Sequence, residues 1–171
     1  MGMAVASSID NPSAIFYNPA LLVYQKGFGF SASDTIVLPE TDYRNPFTGE
    51  RTNAKTKTHH LPALYMKYTR EEISFGLGIF SPFGLSTEWP KDWIGRYVST
   101  FAEIRTTYIN PVCAYKVNDR FSFGFGVSLV KSSVKFKNAI NLAPFSDGIA
   151  KLSGDGDGIG YNGAIAFKLP R

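Results

Sequence analysis

The chain has 171 residues, of which 44% are hydrophobic, 15% aromatic and 19% charged, and its formal net charge is +4. The Lys and Arg residues are scattered without a basic stripe, which argues against a nucleic-acid partner, and the single cysteine, Cys113, excludes both an internal disulfide and a cysteine metal cluster. No stretch approaches the roughly 18 consecutive apolar residues of a transmembrane helix, but a membrane-spanning strand needs only about 10 residues, half of them apolar.

Six segments alternate apolar and polar residues with a period of two, which predicts six β-strands. In chain order the predicted strands cover residues 27–37, 60–69, 72–80, 104–117, 120–137 and 161–169. The fifth strand shows the pattern most clearly. Its apolar face carries Phe121, Phe123, Phe125, Val127 and Leu129, and its other face carries Ser122, Gly124, Gly126 and Ser128. The alternation changes phase near Val130, which predicts either a bulge or the emergence of the strand from an apolar layer.

The predicted connections alternate between long and short. Tight turns lie at Arg70-Glu71 and Asn118-Asp119, a polar loop covers residues 39–58, and two further long connections cover residues 81–103 and 138–157. This alternation is typical of outer-membrane barrels, which have short periplasmic turns and long external loops. The Greek-key crossings of a soluble sandwich usually disturb such an order. The pattern therefore favours a barrel whose apolar face meets lipid and whose small residues face the lumen.

The N-terminal segment lacks the period of two and contains Asn18-Pro19-Ala20. This segment resembles the hatch of the long-chain fatty acid transporter family of Gram-negative outer membranes, which carries an Asn-Pro-Ala motif. Three further segments resemble parts of the family in the same order. They are residues 82–89, residues 110–119 and residues 121–126.

The resemblance implies an all-β fold: an antiparallel transmembrane β-barrel of fourteen strands, of which this chain supplies about six, with an irregular N-terminal hatch. Residues 1–26 are expected to form the hatch, incomplete at its start, and residues 27–171 the first six strands with their loops. Because two open edges would be unpaired in lipid, we expect the chain to be a fragment of a longer protein. No signal peptide is visible at its start, and we expect that it too is missing.

The resemblance also implies passive uptake of long-chain fatty acids or other hydrophobic molecules, without enzymatic activity, cofactor or metal. The expected partners are those solutes, outer-membrane lipid and lipopolysaccharide, and the remaining barrel strands. An external apolar surface is the first requirement for such uptake. Candidate ligand-binding residues in the long loops are Phe83, Leu85, Trp89, Trp93 and Phe145, although each could equally pack the loops or form an interfacial aromatic girdle.

The family's lateral exit beside the hatch directs attention to the third strand. Gly76, Gly78 and Pro82 are the candidates for a gap in the wall, because Gly weakens strands and Pro removes a ladder donor. The glycines could instead make room for the hatch. Pro12 and Pro19 make the hatch irregular, which suits a movable plug, although a static plug has the same composition.

Other apparent motifs are weak. Residues 158–163 fit a dinucleotide fingerprint by letters but lead into a strand, and Asp155 and Asp157 offer too few ligands for Ca²⁺. The pair His59-His60 lacks further zinc ligands. Arg96, Arg105 and Lys131 could meet a carboxylate but are more often solvated or lumen-facing charges.

Two other functions stay open at this point. The first is a structural outer-membrane protein or a non-functional truncated remnant. The second is a soluble lipid-binding β-barrel, which needs no signal peptide and would also use the apolar faces.

Overall fold

The computed structural model describes residues 10–168. A short helix, α1 (Ala14–Tyr17), and a 3₁₀ helix (Pro19–Tyr24) precede the strands. The strands are β1 (Gly27–Val37), β2 (Asp42–Arg44), β3 (Arg51–Asn53), β4 (His59–Arg70), β5 (Ile73–Phe80), β6 (Gly84–Glu88), β7 (Phe101–Lys116), β8 (Phe121–Ile140) and β9 (Gly148–Phe167). Within this part of the chain, none of the helices is long and apolar enough to cross a bilayer.

The strands form one antiparallel sheet in the order β1-β4-β5-β7-β8-β9, with β6 paired to β7. The six predicted strands correspond to these six, so the sheet is the meander that the alternating connections indicated. The short strands β2 and β3 form a separate hairpin inside the first long loop. The sixth strand was predicted to reach Leu169, which lies outside the described residues.

The two faces of the sheet differ as the alternation predicts. Large side chains on the outward face are exposed, including Phe28, Phe30, Phe75, Phe125 and Ile159. On the inner face, Ser74, Ser122, Ser128, Thr69 and Asn110 are buried. The aromatic side of the fifth predicted strand therefore faces outward, and its serines and glycines face inward.

The prediction of a loop over residues 138–157 is wrong. Strands β8 and β9 pair continuously from Phe121↔Phe167 to Ile140↔Gly148, and only residues 141–147 connect them. The Gly, Ser and Asp residues of the segment 153–158 have low strand propensity. They are strand here because β8 offers them an unbroken ladder of backbone hydrogen bonds.

The phase change near Val130 is not a bulge. The register of β8 is constant against both β7 and β9 on either side of this residue. Emergence from the apolar layer is the alternative that agrees with this geometry, because outward-facing Leu129 is followed on the same face by Lys131.

The buried core lies between the inner face and the N-terminal segment. Ala14, Ile15 and Leu22 are fully buried, together with Ala114 and Val112 of β7. Glycine makes this close approach possible, since a Cβ at Gly124 would lie 2.6 Å from the backbone nitrogen of Ala20 and 2.8 Å from the carbonyl carbon of Pro19.

We therefore expect Gly124→Ala to displace the 3₁₀ helix, at a cost of about 1–3 kcal/mol for overpacking. Amide hydrogen exchange of residues 19–25 should become faster. Gly163→Ala on the neighbouring strand is the matched control, because a Cβ there meets nothing within 4 Å. Equal exchange in both variants would contradict this account of the packing.

Candidate functional site

The Asn-Pro-Ala segment starts the 3₁₀ helix and fits it against the sheet. Asn18 Oδ1 accepts a hydrogen bond from the backbone N–H of Ala20 (3.2 Å), and Pro19 occupies the first helical position, where no N–H is needed. Ala20 is fully buried against Gly124. The identity of each residue in the Asn-Pro-Ala motif is thus explained by its local structural role.

Side chains of the sheet hold the carbonyl groups of this segment. Ser122 Oγ donates to Ala20 O (2.8 Å), and Thr69 Oγ1 donates to Leu22 O (3.0 Å). Lys67 Nζ donates to the carbonyls of Gln25 and Gly27 at the start of β1. The sequence analysis did not identify this set. The feature of the sequence that could have identified these donors is the position of Lys67 and Thr69 on the inner face of a strand whose other face is apolar.

Residues 11–17 are seated differently. Ile15 lies over the third predicted strand, where a Cβ on Gly76 would come within 2.9 Å of its Cδ1 and a Cβ on Gly78 within 3.0 Å of its Cγ2. The structure therefore places these two glycines under the N-terminal segment. Pro82 lies elsewhere, beyond the end of β5.

The sheet is interrupted at Pro82. Phe80 pairs with Tyr108 and Gly84 pairs with Arg105, so three residues on one strand face two on β7. The ladder between β4 and β5 ends at Ala63↔Phe80, and Ser81 N–H still donates to Pro62 O (3.1 Å). In the described sheet, β6 then continues with β7 as its only strand partner. A break in the wall therefore separates β4 from β6.

A cavity of about 400 Å³ lies at this break. Its lining includes His59, His60, Phe83, Arg105 and Thr107. His60 Nδ1 lies 2.6 Å from Asp34 Oδ2, and Arg105 donates to Glu103 (3.1 Å). The Nε2 atom of His59 is buried and has no hydrogen-bond partner within residues 10–168. The lining thus mixes polar groups with Pro62 and Phe83, at the edge of an otherwise apolar outward face.

A second cavity of about 540 Å³ lies on the inner side, between the N-terminal segment and β1, β4 and β5. Aromatic residues contribute to its apolar lining: the Phe16 ring is 5.1 Å from that of Phe80, and the Tyr65 ring is 5.7 Å from that of Phe80. Pro62 and Ser81 line both cavities. The sequence analysis missed this chamber, although Phe80 is an aromatic residue on the small-residue face of its strand.

The predicted ligand-binding residues do not form one cluster. Trp89 stacks on Trp93 with ring centroids 4.4 Å apart, and Tyr43 of the β2–β3 hairpin packs edge-on to Trp93 at 5.7 Å. Phe83 is exposed beside the wall break, whereas Leu85 pairs with Ile104 on β7. Phe145 is exposed in the connection between β8 and β9.

Two ion-pair groups fix the external loops. Arg96 Nε donates to Asp147 (2.8 Å), and Tyr97 Oη donates to the same carboxylate (3.0 Å). The bond from Arg96 lowers the pKa of Asp147. Arg96 is thereby engaged by a carboxylate of the protein itself.

The second group centres on Glu88. Its carboxylate lies 2.6 Å from Lys55 Nζ and 2.5 Å from Lys57 Nζ. Hydrogen bonds from Lys55 and then Lys57 lower the pKa of Glu88 from 4.5 to about 2. These bonds tie the segment before β4 to the end of β6.

The candidate metal residues are dispersed. Asp155 and Asp157 lie on β9, opposite Ser133 and Lys131. Over the described range, no group of three or more His, Cys, Asp or Glu side chains is positioned to hold a metal ion.

We expect Glu88→Gln to speed amide exchange in residues 54–58 roughly two- to fivefold at pH 7, the range for an exposed ion pair. The folded-state pKa of Glu88 is depressed, so the wild-type protection should be complete above pH 4.5 and lost as the pH falls toward about 2. Glu40→Gln, at an exposed position, is the control. Identical exchange in wild type and Glu88→Gln at pH 7 would contradict the expectation.

Comparisons with known proteins agree with this geometry. The long-chain fatty acid transport protein of Escherichia coli O6:H1 is 26% identical over 189 residues, which cover 95% of this chain and 42% of that protein. The Pseudomonas aeruginosa FadL homologue has a TM-score of 0.73 at 20% identity over 96% of this chain and 46% of its own. The Ralstonia pickettii toluene transporter TbuX has a TM-score of 0.76 at 18% identity, over 94% and 49%.

The chain thus spans less than half the length of these relatives, and its sheet has the fold of the corresponding part of an outer-membrane β-barrel. The model of the outer membrane protein transport protein family (OMPP1/FadL/TodX) matches residues 1–170, and the chain belongs to that family.

Proposed function

We propose that the protein takes up long-chain fatty acids or other hydrophobic small molecules passively, through the aromatic chamber and out sideways through the break in the barrel wall. The observation that carries this proposal is that Pro62 and Ser81 line both cavities. A solute in the chamber therefore lies next to the place where the hydrogen-bonded wall is discontinuous.

Residues 1–26 act as the hatch and residues 27–171 as the first part of the wall. Because sheet side chains hold the carbonyls of Ala20, Leu22 and Gln25, the second half of the hatch is the fixed part. Within residues 11–17, Ile15 instead makes an apolar approach to Gly76 and Gly78 of the sheet, and Phe16 lines the chamber. Movement of this first half would open the chamber while the second half stays anchored.

Capture takes place at the loop end. The Trp89–Trp93 stack and the exposed side chains of Phe83 and Phe145 offer apolar surface outside the membrane, and Leu85 extends it towards the wall break. Burial of an acyl chain gains roughly 0.8 kcal/mol per CH₂, so binding needs few polar contacts.

The relatives define the range of solutes. One is named for long-chain fatty acid transport and another for toluene, so the proposed substrates are apolar molecules with or without a carboxylate. The wall break carries Arg105 and His59, which suits a solute with a polar head. The strands at the two ends of the described sheet, β1 and β9, would pair with further strands of the complete barrel.

Two alternatives differ from this proposal in what they require. A structural outer-membrane protein needs neither chamber nor wall break. A soluble lipid-binding barrel would direct its apolar side chains inward, whereas Phe28, Phe75 and Phe125 point outward.

Deletion of Pro82 tests the lateral route. Removing one of the three residues opposite Thr106 and Thr107 gives β5 and β6 a common register with β7 and should close the break. In cells without their own transporter, uptake of a radiolabelled long-chain fatty acid should fall by about tenfold or more, because sideways exit is blocked.

Deletion of Glu40, an exposed residue between β1 and β2, is the control and should leave uptake unchanged. Heat-modifiable migration in gels shows that each variant is folded. Both variants are made in the complete barrel. Normal uptake by the folded Pro82 deletion would exclude the lateral route, and absence of uptake by the complete wild-type barrel would favour a structural role.

A further inference from the structure

The outward face changes from apolar to basic near the loop end of the barrel. On β8, Leu129 is followed on the same face by Lys131, Ser133, Lys135 and Lys137. Side chains two residues apart share one face of a strand. The short turns lie at the other end of the sheet, so this basic end is the external one.

Two of these lysines oppose each other directly. Lys137 of β8 pairs with Lys151 of β9. Side chains in such pairs have Cβ atoms about 4.5–5.5 Å apart, and like charges there are destabilising. In the described structure, neither ammonium group has a carboxylate within 4.0 Å, whereas Lys135 has Glu103 at 3.6 Å.

A third ammonium group, that of Lys57, lies near the same aromatic ring as Lys137. The Nζ atoms of Lys57 and Lys137 lie 5.1 and 5.0 Å from the centroid of the Phe101 ring. Two acids lie in this neighbourhood: Lys55 and Lys57 share Glu88, and Arg105 and Lys135 share Glu103. We name Lys57, Lys137 and Lys151 the basic patch. It has more positive charge than the protein neutralises.

The position of the basic patch identifies its ligand. Eight residues separate Leu129 from Lys137, about 26 Å along a strand, or about 20 Å above the apolar band for a strand tilted by about 40°. The basic patch therefore lies beyond the apolar band, on the external side, where outer-leaflet glycolipid exposes its sugars and phosphates. The apolar outward residues below the patch, Ile109, Leu129 and Ile159, would lie beside the acyl chains of the same lipid.

We propose that the basic patch binds a phosphate group of lipopolysaccharide. Lysine ammonium groups bind phosphate as point charges, and one phosphate between Lys137 and Lys151 relieves their mutual repulsion. The site lies on the outward face, so it is separate from the solute pathway and serves to fix the barrel in the outer leaflet.

The test compares Lys137→Gln/Lys151→Gln with Arg70→Gln/Arg120→Gln, which removes the same charge at the exposed opposite end of the barrel. Binding of purified lipopolysaccharide to the detergent-solubilised full protein is measured by co-sedimentation. Each lysine near an anionic surface contributes enough for the lysine variant to bind about tenfold or more weakly. The arginine variant should bind like wild type.

Three further measurements make the outcome decisive. Lys137→Arg/Lys151→Arg should retain binding, which separates a charge effect from misfolding. Dephosphorylated lipopolysaccharide should bind wild type and the glutamine variant equally. Unchanged binding in the glutamine variant, an equal loss in the arginine control, or full competition by inorganic phosphate at millimolar concentration would each overturn the proposal. Fatty acid uptake should be normal in all folded variants.

Discussion

The continuous ladder of backbone hydrogen bonds is the constraint on which this structure depends. In a bilayer, every backbone group of a wall strand must be paired, because an unpaired group costs several kcal/mol in hydrocarbon. Five strand pairs of the sheet keep a constant register along their whole lengths. The change of register between β5 and β6 on β7 is therefore the exception that a functional explanation must address. The break has polar side chains and a cavity where the ladder is missing, so water or a polar head can meet the unpaired groups.

The second condition is the small size of inner-face residues. Gly76, Gly78 and Gly124 leave space that Ile15 and the Pro19-Ala20 backbone fill. The same face supplies the Ser122, Thr69 and Lys67 donors. The inner face thus combines close packing with a few hydrogen bonds, and those bonds lie on one half of the N-terminal segment. If this segment acts as the proposed hatch, the asymmetry would give it an anchored half and a half that moves at lower cost.

Much of the fold was accessible from the sequence. Period-two alternation located the six wall strands, and the first one, residues 27–37, was placed to the residue. The strand structure at the loop end of the sheet was harder to predict, because residues 148–158 form a strand through pairing with β8 and not through intrinsic strand propensity. The position of the wall break could not be predicted from one strand, since it depends on counting residues on both β5–β6 and β7. The register change lies beside Pro82, whereas Gly76 and Gly78 lie under Ile15.

The chamber illustrates the same limit. In the sequence, Tyr65 and Phe80 look like ordinary aromatic residues of β-strands. Only the folded structure shows that Phe80 packs against both Phe16 and Tyr65. Their position on the small-residue face was nevertheless a usable signal, because a lumen-facing aromatic has neither lipid nor a hydrophobic core of its own sheet to cover it. What it does contact is the N-terminal segment.

The proposed uptake would need no energy source in these surroundings. An acyl chain gains roughly 0.8 kcal/mol per CH₂ when it leaves water, and it keeps that gain on moving from an aromatic chamber into lipid tails. The step from chamber to membrane is therefore close to balanced in free energy. In the proposed route, its rate would depend on the break between the two apolar regions, where His59 and Arg105 line the cavity that a head group would cross. The aromatic surface of the loops would then determine how often the chamber is filled, and dilution of the solute in the membrane would determine the net direction.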